Sequence, residues 1–373
     1  MKEPVRVLHV IGAMDRGGAE TMIMNLYRQI DRKLFQFDFL VHTDRECDYD
    51  REIIELGGRI FRIQPYKIYN YISYKKQFRE ILRAHEELKI VHGHIGSSAS
   101  VYLKEARRQH RYAIAHSHSV YSCQNAEDII FKILTYGNRW AADFYFGCSY
   151  QAGMDRYGKK IVASKCFRVL NNGIDAKLYC YDAEKQRMMK KAFGLEKKVV
   201  FGHVGRFVPV KNHIFLLDVF KQIVQLEPEA VLILAGRGEL EDRIKEKARE
   251  LSIDDKIRFL GVRKDIPDLM IMMDGFIFPS LYEGLGIAAV EAQAAGLPCL
   301  LSDRIPREAV ITKEAKQLSF SVGAKKWAEE MVKMCSRTER KNTFEQIKKA
   351  NYDIGASVKQ LISVYEDAVK NAE

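Results

Sequence analysis

The feature that most restricts this chain is a rhythm: short β-rich runs alternate with amphipathic helical stretches, and the alternation runs twice. Val5–Ile11, Phe35–His42, Arg59–Ile63, Ile90–His94, Tyr112–His118, Phe144–Cys148 and Cys166–Leu170 read as strands. Helical stretches lie between them at about Ala19–Ile30, Lys75–Glu87 and Ala99–Gln109. Strands that repeatedly return through a helix must run parallel, with helices covering the sheet. Asn171-Asn172-Gly173 then carries turn chemistry, a charged helix follows, and the rhythm restarts at Val199–Val204, Ala230–Leu234, Lys256–Leu260, Gly275–Phe278 and Pro298–Leu301. The expected fold is α/β, with two Rossmann-like parallel-sheet domains at 1–170 and 199–350 and a linker region at 171–198. A C-terminal helix at 351–373 carries Leu361, Ile362, Val364 and Tyr365 on one side, and it could pack on either half, including back on the N-domain. Sheets of this kind bind ligands at the carboxyl ends of their strands, here in a cleft between the halves.

Composition removes several classes. At 47% hydrophobic and 29% charged, the 373 residues can fill two cores, so disordered and collagen-like readings fail. No apolar run approaches the roughly 18 residues of a membrane span. Met1–Met14 carries Glu3 and Pro4 and then reads as a strand, unlike a secretory leader. The seven cysteines (Cys47, Cys123, Cys148, Cys166, Cys180, Cys299, Cys335) are scattered and never spaced C-x-x-C, which argues against disulfides and thiolate zinc. The expectation is a cytoplasmic protein.

Charge points to a surface. The net charge is +11, and residues 59–111 hold twelve basic side chains against Glu80, Glu86, Glu87 and Glu105. Such a stretch attracts phosphates or an anionic membrane face, unless it is simply a set of solvated helix faces. Interleaved Tyr66, Tyr69, Tyr71 and Tyr74 suit a membrane interface. No zinc-finger, RRM or KH signature is present, so nucleic acid is not an expected partner.

Three stretches could carry chemistry. The first strand runs into Gly17-Gly18-Ala19-Glu20, which lacks the G-x-G-x-x-G of dinucleotide binders but lets a backbone approach a ligand closely. Val199–Val204 runs into Gly205-Arg206 and then Lys211, two cations near a strand end that could neutralise a diphosphate and stabilise its departure. The most informative stretch is Phe278–Leu301. Its loop Glu283-Gly284-Leu285-Gly286 leads into an Ala-rich helix whose start would favour a phosphate, and Glu291 lies within that helix. A carboxylate on either side of an anion site fits a sugar nucleotide, with Glu283 on sugar hydroxyls and Glu291 on the ribose. His92-Gly93-His94 and His116-Ser117-His118 form H-x-H pairs that project to one face and could hold a transition metal. Without a carboxylate or thiol beside them, the reading adopted is no metal.

In order along the chain, Gly17-Gly18-Ala19-Glu20, the strand ending at His118, Asn172-Gly173-Ile174-Asp175, Gly205-Arg206 with Lys211, and Glu283-x7-Glu291 resemble a retaining GT-B-fold glycosyltransferase of glycosyltransferase family four. The resemblance spans residues 17 to 298, and its last two elements are the most specific. It implies two domains facing across a cleft: 1–170 on the acceptor side, 199–350 binding the nucleotide sugar. Arg206 and Lys211 would grip the diphosphate as electrostatic catalysts, Glu283 would contact the donor sugar, and Glu291 the ribose. Gly17, Gly18, Gly205, Gly236, Gly284, Leu285 and Gly286 would border donor or phosphates. Arg263, in Val262–Asp265, is a candidate to stack on the base. The histidine at the N-domain strand end has two candidates, His116 and His118, and the offset favours His118. One departure is local: after Ser302-Asp303 the chain runs Arg304-Ile305-Pro306-Arg307-Glu308 without the family's Gly-Gly.

What the resemblance implies is transfer of a hexose or N-acetylhexosamine, with retained configuration, from a UDP-linked donor to a lipid-linked or polymeric saccharide acceptor. This transfer would serve polysaccharide synthesis at the inner membrane face, with no cofactor and no metal. The rivals are a nucleotide-sugar epimerase of the same architecture and a non-catalytic binder of nucleotides or polyanions.

Overall fold

A computed structural model describes residues 3–118, 132 and 135–370. Cys123 lies outside these residues; the other six cysteines are free thiols. The chain divides into two compact units, one of Met1–Gly173 with Ile354–Glu373 and one of Ile174–Asp353.

The first unit is built on a seven-stranded sheet: β1 (Val5–Ile11), β2 (Phe35–Val41), β3 (Ile60–Arg62), β4 (Leu88–Gly93), β5 (Tyr112–Ser117), β6 (Phe144–Gly147) and β7 (Phe167–Val169). Its order is β3-β2-β1-β4-β5-β6-β7, and the pairings are parallel. Alternation along β1 feeds both faces: Val7 and Ile11 join one core cluster, Leu8 and Val10 the other. Because both faces are covered, β2 is buried along its whole length, as its sequence FQFDFLV requires.

The second unit carries β8 (Val199–Val204), β9 (Ala230–Ala235), β10 (Ile257–Gly261), β11 (Gly275–Phe278), β12 (Cys299–Ser302) and β13 (Ala315–Leu318), in the order β10-β9-β8-β11-β12-β13, again parallel. The sequence reading missed β13, since AKQL is a polar edge strand with no apolar alternation. In each sheet the order reverses once, between β1 and β4 and between β8 and β11. At that point adjacent loops diverge and leave a crevice.

The expected 171–198 linker is not a separate segment. The chain enters the second unit at Ile174, and the helix Ala183–Ala192 is pinned there by Asp274. Gln186 donates to its Oδ1 at 2.9 Å, and Lys190 meets its Oδ2 at 2.6 Å. The helix Ile354–Lys370 belongs to the first unit. Its buried stripe of Ile354, Val358, Leu361, Val364, Tyr365 and Ala368 follows helical spacing and joins Val7, Phe35 and Phe37 in one cluster. The Tyr365 ring lies 5.4 Å from that of Phe35. Where the Gly-Gly is missing, the turn after β12 is held from β13, with Gln317 donating to the Ile305 carbonyl at 2.8 Å.

Leu361 is fully buried beneath this helix, so Leu361→Ala should cost about 2–4 kcal/mol. Urea unfolding followed by a probe in the first unit checks this. A loss under about 1 kcal/mol would mean that the helix contributes little to that unit.

Candidate functional site

In the second unit the residues singled out by sequence converge on the crevice between β8 and β11. The chain leaves β8 through Gly205 and Arg206, forms a 3-10 turn at Pro209–Lys211, and enters the helix His213–Leu226. The Leu281 amide donates to the Val210 carbonyl at 2.8 Å, which ties this loop to the one leaving β11. That tie brings Lys211 to Glu283: Nζ and Oε1 are 2.6 Å apart, with the two side chains 17% and 14% exposed. The Lys211 ammonium also stands 4.8 Å from the Phe278 ring centroid. Arg206 is exposed, and its side chain has no partner among the described residues. One cation is therefore held in place and the other is free to reach a ligand.

Two glycines shape the crevice. Gly236, after β9, adopts φ 148°, and a Cβ there would overlap the Gly205 carbonyl oxygen. Gly286 adopts φ 84° at the N-cap of the helix Ile287–Ala294, a left-handed conformation that a side chain would strain. Leu285 is buried in the core beside it, so only its backbone is available to a ligand. Gly284 completes the turn. Arg263 makes a two-pronged pair with Asp265, at 2.8 and 2.6 Å.

Glu291 sits within that helix, 8% exposed, and its Oε1 accepts from the Tyr179 hydroxyl at 2.7 Å. Burial raises its carboxyl to about 7, and the Tyr179 hydrogen bond opposes that rise.

The first unit holds a pocket of about 300 Å³ at the carboxyl ends of β1, β4 and β5. Gly12, Ala19 and Glu20 form one side; His94, His116, His118, Asn138 and Arg156 form others. Gly17 caps the helix Gly18–Gln29 but neither Gly17 nor Gly18 lines this pocket. Both histidine candidates border it, His116 buried and His118 half-buried.

They belong to a cluster of five. His9 of β1 lies opposite His92 of β4 in the parallel register, so the imidazoles of His9, His92, His94, His116 and His118 gather on one face. His9 Nδ1 meets His94 Nε2 at 2.9 Å, and His94 Nδ1 meets His118 Nε2 at 2.8 Å. His92 Nδ1 bonds instead to the Tyr365 hydroxyl at 2.7 Å. Burial holds all five neutral: His9 falls to about 3, His118 to about 4, and the other three lie well below the usual range. Two triads, His9/His92/His94 and His94/His116/His118, each bring one ligand atom per residue within 4.8 Å of the others, as metal ligands require. The two shortest nitrogen separations are nevertheless hydrogen-bond lengths, below the ~3.3 Å that two nitrogens on one tetrahedral zinc keep.

Sequence reasoning missed His9, Tyr179, Asn138 and Arg156. His9 looks like one more strand residue until β1 and β4 are set in register. The other three come from segments with no motif of their own.

The Glu291 shift carries a sign. Its pKa is raised in the folded chain from 4.5 to about 7, so stability is full below pH 4.5 and falls as pH rises through 7. Glu291→Gln removes that dependence and still accepts from Tyr179. It should match the native chain near pH 4 and exceed it near pH 8 by about 2–3 kcal/mol. Urea unfolding at both pH values reads the difference, and a pH-independent offset would contradict the raised carboxyl.

Comparison with known proteins points the same way as this geometry. The family profile described as "Glycosyltransferase Family 4" matches residues 16–178, and "Glycosyl transferases group 1" matches 184–351. A Bacillus subtilis (strain 168) protein named as a putative glycosyltransferase, EpsF, is 34% identical over 375 residues, 96% of each chain. The capsular polysaccharide biosynthesis glycosyltransferase CapH of Staphylococcus aureus is 24% identical across 97% of this chain and 98% of its own. Among solved structures, Anabaena Alr3699/HepE in complex with UDP-glucose superposes with a TM-score of 0.80 at 17% identity, covering 97% of this chain and 99% of that one. That likeness establishes the GT-B fold. The chain belongs to the family-four glycosyltransferases.

Proposed function

We propose that the chain moves a hexose or N-acetylhexosamine from a UDP-sugar to a lipid-linked or polysaccharide acceptor with retention of configuration. The observation that carries this reading is the Lys211–Glu283 pair at the crevice of the second sheet, set between the glycine turns of Gly205/Gly236 and Gly284/Gly286. A diphosphate against those turns would draw Lys211 and the unpartnered Arg206, whose charges stabilise the leaving group as the sugar bond breaks. Glu283 then takes sugar hydroxyls and Glu291 the ribose. On this account two cations do at the diphosphate what a divalent ion does elsewhere, so transfer proceeds without metal there. His118 and His116, at the first unit's pocket, are the candidates to place a donor or acceptor sugar there. The choice of UDP is supported by the Anabaena structure, a complex with UDP-glucose.

A membrane-bound acceptor fits the surface. No helix among the described residues is long and apolar enough to cross a membrane. The basic 59–111 stretch is partly neutralised from outside its own sequence: Arg59 pairs with Asp38, Arg62 with Asp50, and Arg107 with Asp143. What remains is an apolar promontory. Ile68, Tyr69 and Ile72 are 72%, 83% and 81% exposed, with Lys67 and Lys76 close by in sequence, whereas Lys75 is paired with Glu105. Apolar tips accompanied by lysine suit the inner leaflet, where anionic headgroups meet acyl chains.

The deciding measurement is calorimetric binding and nucleotide release with UDP-, GDP- and ADP-sugars, with and without EDTA. Saturable binding and release with UDP-sugars alone, unaffected by EDTA, is expected; no binding across the panel would sink the reading. Lys211→Ala and Glu283→Ala should each lower turnover at least about tenfold in a folded protein. Replacing Tyr69 and Ile72 together by serine should weaken binding to phosphatidylserine vesicles about tenfold, in a sedimentation assay at low salt, with nucleotide binding unchanged.

A further inference from the structure

We propose that Tyr179 is a positioning residue for Glu291: its hydroxyl occupies one carboxyl oxygen, Oε1, and so aims the other, Oε2, at the ribose of the sugar nucleotide. The identity of that ligand rests on the transfer reading above. No side chain on its own helix can hold Glu291, because its neighbours one turn away are Ile287, Ala288, Ala294 and Ala295. The support comes from far off in sequence. The chain enters the second unit at Ile174 and turns at once through Ala176–Tyr179. The Tyr179 ring is buried and packs in the cluster that holds Ile174, Met270, Ala288 and Ala292. Its hydroxyl donates to Oε1 at 2.7 Å.

A glutamate side chain is free to turn about each of its bonds, and a hydrogen bond from a packed ring removes much of that freedom before a ligand arrives. Among the described residues Oε2 has no hydrogen-bond partner, and it is not sealed from solvent. The arrangement also decides what a ligand meets there. With Oε1 taken by a donor, any proton on the carboxyl sits on Oε2. Deprotonated, Oε2 accepts from ribose hydroxyls; protonated, it is a donor, and acceptance from the ribose is lost. Burial raises this carboxyl to about 7 and the Tyr179 hydroxyl opposes the rise; no other titratable or charged side chain among the described residues acts on it. Binding of the ribose should therefore strengthen as pH rises through 7, and removal of the hydroxyl should move that midpoint upward.

Carbon-13 spectra of the full chain, labelled at glutamate carboxyls and assigned with Glu291→Gln, read the titration directly. The Glu291 signal should titrate near 7 in the native chain and higher in Tyr179→Phe; an unmoved value in the folded variant would overturn the proposal. Tyr179→Leu, equally without a hydroxyl, takes its place if the Phe chain does not fold. Calorimetry then compares UDP-glucose, whose diphosphate keeps its charge between about pH 6 and pH 8, with the analogue lacking both ribose hydroxyls. The native chain should bind UDP-glucose about tenfold tighter at the upper pH than at the lower. Tyr179→Phe should weaken UDP-glucose about tenfold at neutral pH and leave the analogue within about twofold of its native affinity. In turnover, KM should rise with kcat unchanged, since the ribose is remote from the bond that breaks. Equal losses for the two nucleotides would reduce Tyr179 to a packing residue and end the proposal. A raised Glu291 titration in Tyr179→Phe, in a chain that binds no sugar nucleotide, would keep Tyr179 as the group that sets this carboxyl and sink the transfer reading.

Discussion

Parallel pairing is the constraint from which the rest follows. When every strand in a sheet runs the same way, every strand delivers its carboxyl end to one edge, and the chain must cross back over a face before it can add another strand. All the residues of interest are consequences. Gly12, His94 and His118 follow β1, β4 and β5. Gly205, Gly236 and Glu283 follow β8, β9 and β11. Where the strand order reverses, neighbouring crossovers lie on opposite faces, so their loops part instead of packing together. The histidine pocket of the first unit and the Lys211–Glu283 pair of the second both occupy such a parting.

The two units use the same opening under opposite dielectric conditions. Burial strips the histidine cluster of charge, so its rings meet their neighbours as neutral hydrogen-bonding groups. Lys211 and Glu283 keep a little solvent and pair with each other. Glu291 lies between these regimes, buried but partnered by a single hydroxyl, and so it titrates near neutrality. Neutral hydrogen-bonding rings suit hydroxyl groups, and a paired cation suits phosphates.

Much of this was legible in the sequence because period and punctuation are local. Twelve of the thirteen strands announce themselves by apolar runs, and Glu283-x7-Glu291 fixes a loop and helix without help from elsewhere. What escaped depended on distance. His9 becomes a histidine partner only through the β1–β4 register, and Tyr179 reaches Glu291 across more than a hundred residues. The excess of base in 59–111 overstated the free charge because Asp38, Asp50 and Asp143 lie outside that window. The domain boundary erred for a related reason: the charged helix Ala183–Ala192 has no strongly apolar face to declare its owner, and Asp274 claims it by ion pair and hydrogen bond.

The return of Ile354–Lys370 to the first unit also sets an order of events during synthesis. The second unit is one continuous segment and can close as soon as it leaves the ribosome. The first unit cannot, because the cover for Val7, Phe35 and Phe37 is translated only after all of Ile174–Asp353. A nascent chain therefore carries the strands of this sheet with part of one apolar face uncovered for the whole of that interval. The part made first is among the last to mature, and its exposed face is where a chaperone would find most to hold.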